Sequence, residues 1–322
     1  MKNLFVFILA LLSCDEVFCQ NWEDVKTTNT CTSRHENSLV AIGKKLYLVG
    51  GRKIKPVESL DIKSKTWTKL IETPVEMHHF QAITYRDELW VVGAFTGGYP
   101  HEKPIENIYI FNPKKNEWRK GAEIPKDRNR GSAGVFVYQD KIYVVCGITD
   151  GHWDGHVAWL DEYDPSTNTW RRLADAPNAR DHFQAVVIDA KIYVAGGRRS
   201  SAVTKQVFQL TQPMVDVYDF KTNTWSTLPE NLNIPTQRAG TSSAVLGNTF
   251  LVIGGESGTQ KSSHNEVEEF NTKTNSWVKL SPLLQGRHGT SVAKIKNHLY
   301  TVAGSANMGG GPELNTVEVF KK

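Results

Sequence analysis

Cysteine is scarce: four residues in 322, two of them, Cys14 and Cys19, within the first twenty. That leaves Cys31 and Cys146, too few for a disulfide framework, and they fall in different repeats of the chain, so no bridge between them is expected. Long apolar runs are missing too. Leu4 to Leu12 is a nine-residue apolar stretch, too short to span a bilayer. Charge of one sign is also lacking: the formal net charge is +4, with Lys and Glu mixed throughout and no basic run interleaved with aromatics. This excludes a nucleic-acid-binding face. Gly-x-Ser-x-Gly, His-Glu-x-x-His and phosphate-loop motifs are absent, and no pair of carboxylates stands out by spacing. No Asn-x-Ser/Thr acceptor occurs anywhere.

What is present begins with a targeting signal. Lys2 precedes the apolar stretch, as in a secretory leader. Cleavage after Cys19 would make residues 1–19 a signal peptide and leave 20–322 as one domain. Alternatively, Leu11-Leu12-Ser13-Cys14 is close to a bacterial lipobox, with Cys14 lipidated and the protein anchored at the cell envelope. We favour plain secretion, to the periplasm or the exterior, as a monomer.

The rest of the chain is a repeat. Its clearest copy runs Lys191-Ile192-Tyr193-Val194-Ala195-Gly196-Gly197, then Val215-Asp216-Val217-Tyr218-Asp219, then Thr222-Asn223-Thr224-Trp225. The second glycine position recurs at Gly51, Ala94, Gly147, Gly197, Gly255 and Gly304. Further on stand Leu60, Phe111, Tyr163, Tyr218, Phe270 and Phe320. Seven residues after the first five of these comes Trp67, Trp118, Trp170, Trp225 or Trp277. The sixth Trp is Trp22, near the start. A period near fifty with a Gly pair and a Trp predicts an all-β, six-bladed propeller of four-stranded blades. Its last blade would be closed by the N-terminal strand carrying Trp22, which leaves the ring no free edge.

Candidate chemistry follows from that topology. In an a-b-c-d meander the b–c and d–a loops share one face, around the channel mouth. Seventeen residues before each second glycine position stands Arg34, Met77, Arg130, Arg180, Arg238 or Arg287. Nearby are His35, His78, His79, Asp181, His182 and His288, and after the Gly pairs Arg52, Arg198 and Glu256. These predict a funnel of guanidinium and imidazole groups for an anionic or polyhydroxylated ligand, although each Arg could instead tie strand a to a neighbouring blade. The loop from Asp150 to His156 is the densest patch. Its His152, Asp154 and His156 are weak candidates for a divalent metal, while Trp153, like Tyr99, offers a stacking surface for a sugar. Asp181, His182 and Glu256 are candidate acid–base groups. No cofactor is expected, with a divalent metal the exception to test.

The Tyr-x-x-Gly-Gly run, the Asp-aromatic strand and the Asn-x-Trp turn resemble Kelch repeats, over Trp22 to Phe320. The resemblance implies a six-bladed Kelch propeller. It is similar, at a distance, to secreted bacterial N-acetylneuraminate epimerases and to the propeller of galactose oxidase. The first likeness implies an Arg-rich mouth for a sialic acid carboxylate. The second implies copper held by Tyr and His with a Tyr–Cys crosslink, for which Cys146 is the one candidate thiol. The leading expectation is a secreted propeller that binds a glycan or small anionic ligand. A carbohydrate-active isomerase, lyase or oxidase at the same mouth, or a platform for a protein partner, are the alternatives.

Overall fold

The computed structural model describes residues 21–321. The signal peptide expected at 1–19, with Cys14 and Cys19, lies outside the described residues. Within them, Val, Ile and aromatic runs between Asn- and Asp-rich turns form six four-stranded antiparallel sheets. Blade 1 comprises Asn37–Ile42, Lys45–Gly50, Pro56–Asp61 and Thr66–Glu72. Blade 2 comprises Ile83–Tyr85, Glu88–Val91, Asn107–Asn112 and Glu117–Glu123. Blade 3 runs Gly134–Tyr138, Lys141–Val145, Leu160–Asp164 and Thr169–Arg172, and blade 4 Ala185–Ile188, Lys191–Val194, Asp216–Asp219 and Thr224–Thr227. Blade 5 runs Ser242–Leu246, Thr249–Ile253, Val267–Asn271 and Ser276–Lys279. Blade 6 joins Val292–Ile295, His298–Val302 and Val317–Lys321 to Trp22–Asp24.

The first strand of each blade lies beside that of the next, so the six close around a common axis. These inner strands carry small residues such as Ser38, Ala41, Ala185, Ser242, Ala244 and Ala293, as the taper toward an axis requires. The repeated Trp sits directly across the outer hairpin from the repeated aromatic or Leu: Trp67 faces Leu60, Trp170 faces Tyr163 and Trp22 faces Phe320. That pairing explains the constant seven-residue gap. Three of these indoles also donate to the preceding blade, Trp170 to Glu123 O, Trp225 to Ala174 O and Trp277 to Leu232 O. Cys31 and Cys146 are separate buried thiols.

The repeated arginines are located differently from the expectation. Arg130, Arg180, Arg238 and Arg287, with Arg34, do not face the funnel. Each is buried and turns into its own blade, toward an acid on the third strand: Arg130 to Asp161 (2.7 Å), Arg180 to Asp216 (2.7 Å), Arg238 to Glu268 (2.6 Å), Arg287 to Glu318 and Arg34 to Glu58. Their other N–H groups serve carbonyls of the same blade, such as Gly196 O and Met214 O for Arg180. Five N–H donors on a planar fork suit this task, because three strand segments converge there with carbonyls unpaired.

Two residues beyond each Arg (or Met77) the backbone turns left-handed. Glu36, His79, Ser132, His182, Gly240 and Gly289 all have φ between 51° and 62°. Their N–H groups pass around the axis from blade to blade: His79 donates to Glu36 O, Ser132 to His79 O, His182 to Ser132 O, Gly240 to His182 O and Gly289 to Gly240 O. Asn37 N–H completes the circuit on Gly289 O at 3.1 Å. Just below, Gln81 accepts from Val135 and Ala185 N–H, and Gln184 bridges to Ser243 and Ser291, so side chains fill the channel. The mouth above is therefore a blind pocket whose floor is a hydrogen-bonded ring.

Candidate functional site

A cavity of about 400 Å³ opens above that ring, lined by His35, Glu36, His79, His152, Glu256 and His288 with Arg52, Tyr99 and Phe208. The left-handed turns place Glu36 and His79 at its base, with His182 just behind them against the His79 and His152 rings. The residue after each Arg or Met pairs, in five blades, with the residue after the glycine pair. His78 pairs with Phe95, Asp181 with Arg198, Ala239 with Glu256 and His288 with Ser305. Adjacent positions of the repeat thus feed one opening.

The loops of blades 2 and 3 add the remaining groups. Each forms a short ribbon, Phe95–Thr96 with Lys103–Pro104 and Ile148–Asp150 with Asp154–His156. The two ribbons press together at Gly151, where a Cβ would lie 2.0 Å from a Glu102 carboxylate oxygen. This close approach lets His152 donate its backbone N–H to Glu102 (3.0 Å) and share Nδ1 with the same carboxylate (2.9 Å).

Three imidazoles meet as a result. The ring centroids of His79, His152 and His182 are 4.9, 5.0 and 4.7 Å apart, pair by pair. All three side chains are buried, and each is held by a carboxylate: His79 by Glu36 (Nε2 to Oε2, 3.2 Å), His152 by Glu102, and His182 Nδ1 by Asp181. Asp181 is fixed in turn by the N–H and hydroxyl of Ser200. Nε2 of His182 is buried with no hydrogen-bond partner. A second chain of charge runs from Ser200 through Arg198 to Glu256 (2.6 Å), and Glu256 also accepts from Gly309 N–H and lies 3.3 Å from His288 Nε2. Arg52 reaches Glu102 at 2.7 Å.

Burial alone would raise these carboxyl groups, but their neighbours prevail. His152 and Arg52 pull Glu102 down to about 2, and His288, Arg198 and the Gly309 N–H do the same for Glu256, also to about 2. Glu36 and Asp181 are likewise lowered against burial, chiefly by His288 and His182 respectively. Burial lowers the imidazoles: His78 to about 4, His79 well below its usual range among the other rings, and His182, where Arg198 adds to the effect. Four carboxylates therefore face two guanidiniums, Arg52 and Arg198. The funnel is built of imidazole and carboxylate, not of imidazole and guanidinium.

The expected residues divide accordingly. His78, His79, His152, Asp181, His182, Arg198, Glu256 and His288 come together at the mouth. Asp150 and Trp153 lie on the outer edge, Asp150 against His101 (3.0 Å) and Trp153 against the His101 ring at 4.5 Å. His156 and Asp154 pair weakly at 3.7 Å on the ribbon, and neither joins His152 among the described groups of three ligand side chains close enough to share an ion. The geometry explains this: residues two apart on a ribbon share a face, while His152 occupies the turn and points inward. The copper arrangement of galactose oxidase does not fit. Cys146 is buried in the core of blade 3 with its thiol on Asn178 O, and Tyr99 is the one tyrosine lining the pocket. Two groups were missed. Glu36 was readable from the column two residues after each Arg, whereas Glu102 lies in a loop outside the repeat and carries no local signal.

Comparison with known proteins agrees with this architecture. The profile described as the Attractin/LZTR1 beta-propeller matches residues 16–263. The Kelch-like protein terF of Aspergillus terreus is 23% identical over 315 residues, spanning 89% of this chain and 64% of that protein. Kelch-like protein 38 of Homo sapiens is 24% identical over 266 residues, spanning 80% of this chain and 42% of that protein. The chain thus corresponds to less than two thirds of the length of these relatives. The solved structure of YjhT superposes with a TM-score of 0.74 over 90% of this chain and 95% of that one, at 18% identity, a likeness of fold.

Proposed function

We propose, from the premise that the chain belongs to the Attractin/LZTR1 β-propeller family, that it is a Kelch scaffold whose axial pocket binds an uncharged polyhydroxylated ligand of the carbohydrate class. The observation that carries this reading is the pocket's content. Its buried imidazoles and carboxylates offer hydrogen-bond acceptors, while its two guanidiniums are already spent on Glu102 and Glu256. An anion would meet surplus negative charge there, and a sugar hydroxyl would meet acceptors. The rim supplies aromatic surface. Tyr99 is 59% exposed beside the His152 ring, and Phe208 lies against Arg198. Such rings stack on the C–H faces of sugars.

A glycan array tests this. Neutral glycans should bind in preference to sialylated or sulfated ones, and Tyr99→Ala should weaken that binding without lowering the melting temperature. Retention of only acidic glycans, or of none, would refute the reading. Secretion remains part of the proposal, tested by the N-terminal residue of the mature protein.

A further inference from the structure

We propose that His79, His152 and His182 form a binding site for one divalent transition-metal ion at the base of the axial pocket. This does not rest on the glycan reading. The three rings come from three different blades, and their ligand-capable nitrogens lie within 4.8 Å of one another. Tetrahedral zinc with three imidazoles needs nitrogens roughly 3.3 Å apart, which each ring reaches by moving less than about 1 Å. Each imidazole is already oriented by a carboxylate on its other side: Glu36, Glu102 and Asp181. For His152 and His182 that carboxylate–histidine arrangement fixes the tautomer so that Nε2 presents a lone pair, whereas Nδ1 of His79 lies 2.6 Å from Nδ1 of His78 and leaves that contact to hold an ion. For His182 the consequence is explicit, since Nδ1 holds Asp181 and Nε2 is a buried lone pair with no partner. An orphaned acceptor of this kind is costly unless something fills it.

A hydrogen count at His78 and His79 points the same way. His78 Nε2 lies 3.0 Å from Gly97 O, the two Nδ1 atoms are 2.6 Å apart, and His79 Nε2 lies 3.2 Å from Glu36. Each of the three contacts needs one hydrogen, and two neutral rings supply two. Two neutral rings therefore leave the Nδ1–Nδ1 contact without a hydrogen, and an ion on His79 Nδ1 would take the place of that contact. The surrounding charge favours a cation: Glu36, Glu102, Asp181 and Glu256 outnumber the guanidiniums of Arg52 and Arg198 by two. Imidazole ligands without thiolate suit zinc, nickel, cobalt or copper, and not calcium or magnesium. His79 and His152 both line the cavity, from which a fourth ligand would come.

Titration of chelator-treated full-length protein with Zn2+ by calorimetry, and with Co2+ by its visible d–d absorption, is the test. The expected result is one ion per chain with sub-micromolar affinity. His152→Ala and His182→Ala should each lose more than about 100-fold, and Glu102→Gln about 10–100-fold. His156→Ala and His298→Ala should bind as the parent does. His152→Gln serves the same purpose if either alanine variant does not fold. The absence of saturable uptake, or uptake that survives loss of His152 and His182, would overturn the proposal, as would loss in His156→Ala alone.

Discussion

Arg238 and Glu268 form an ion pair at 2.6 Å with both side chains wholly sealed from solvent, inside a single blade. Four other blades repeat the pair. Blade 2 carries neither partner: Met77 stands at the arginine position and Tyr109 at the acid position, opposite Val91 as Glu58 is opposite Leu48 in blade 1. The two changes belong together, because a buried charge without its partner is far more costly than an apolar pair.

Glu268→Gln or Arg238→Met alone should therefore destabilise the protein by about 3–5 kcal/mol in denaturant unfolding, since each leaves a buried group uncompensated. The double change Arg238→Met with Glu268→Tyr, which copies blade 2, should recover much of that loss. A double variant as unstable as the sum of the singles would show that the pair is not a unit.

Three of the indoles tie one blade to the next. Trp225 packs on Tyr218 at 5.2 Å and donates to Ala174 O at 2.7 Å across the blade boundary. Trp225→Ala should cost about 3 kcal/mol, and Trp225→Phe only about 1 kcal/mol, the share of the lost hydrogen bond. Equal midpoints for the two variants in guanidinium would contradict this division.

The six-bladed architecture was legible because the Gly pair, the aromatic and the Trp are local and repeat at fixed spacing. The arginine column was equally legible, but its direction was not. A residue at the entry to a strand can turn toward the axis or into the blade, and only the acids at Glu58, Asp161, Asp216, Glu268 and Glu318 decide. Those acids stand two residues before the repeated Leu or aromatic, so the pairing was available as a second column. Glu102 was beyond reach, since it meets His152 through two irregular loops whose contact depends on Gly151.

Backbone geometry at the axis gives a sharper test. Gly289 has φ 62°, and a Cβ there would lie 2.8 Å from Glu36 Oε1 and 2.9 Å from its backbone nitrogen. At Gly240, with φ 61°, the nearest atom would be His288 Cβ at 3.3 Å. Both alanine variants bear the left-handed penalty of about 1 kcal/mol. Gly289→Ala adds a clash and should cost at least about 1 kcal/mol more than Gly240→Ala, with Glu36 displaced from His79. Matching melting temperatures would show that the ring yields without cost.

Acid should weaken the fold in two stages. Burial, helped by Arg52, lowers His78 to about 4 from an ordinary 6.5, so the unfolded chain binds a proton there that the folded one refuses. Stability from this group is complete above pH 6.5 and falls as pH drops toward 4, by on the order of 3 kcal/mol at most. Glu102 acts lower on the scale. Burial would raise it, but His152 and Arg52 hold it near 2, so its contribution is intact above 4.5 and is lost as pH falls toward 2. Urea midpoints at pH 7, 5.5 and 4 should therefore decline before the carboxylates titrate, and His78→Gln should lessen that first decline while leaving the further one between pH 4 and 3. The Gln amide can keep a donor for Gly97 O while removing the titrating ring and its Nδ1 contact with His79. An unchanged slope between pH 7 and 4 in His78→Gln would assign the acid sensitivity to another group, with the neighbouring His79 and His182 next in line because burial lowers both.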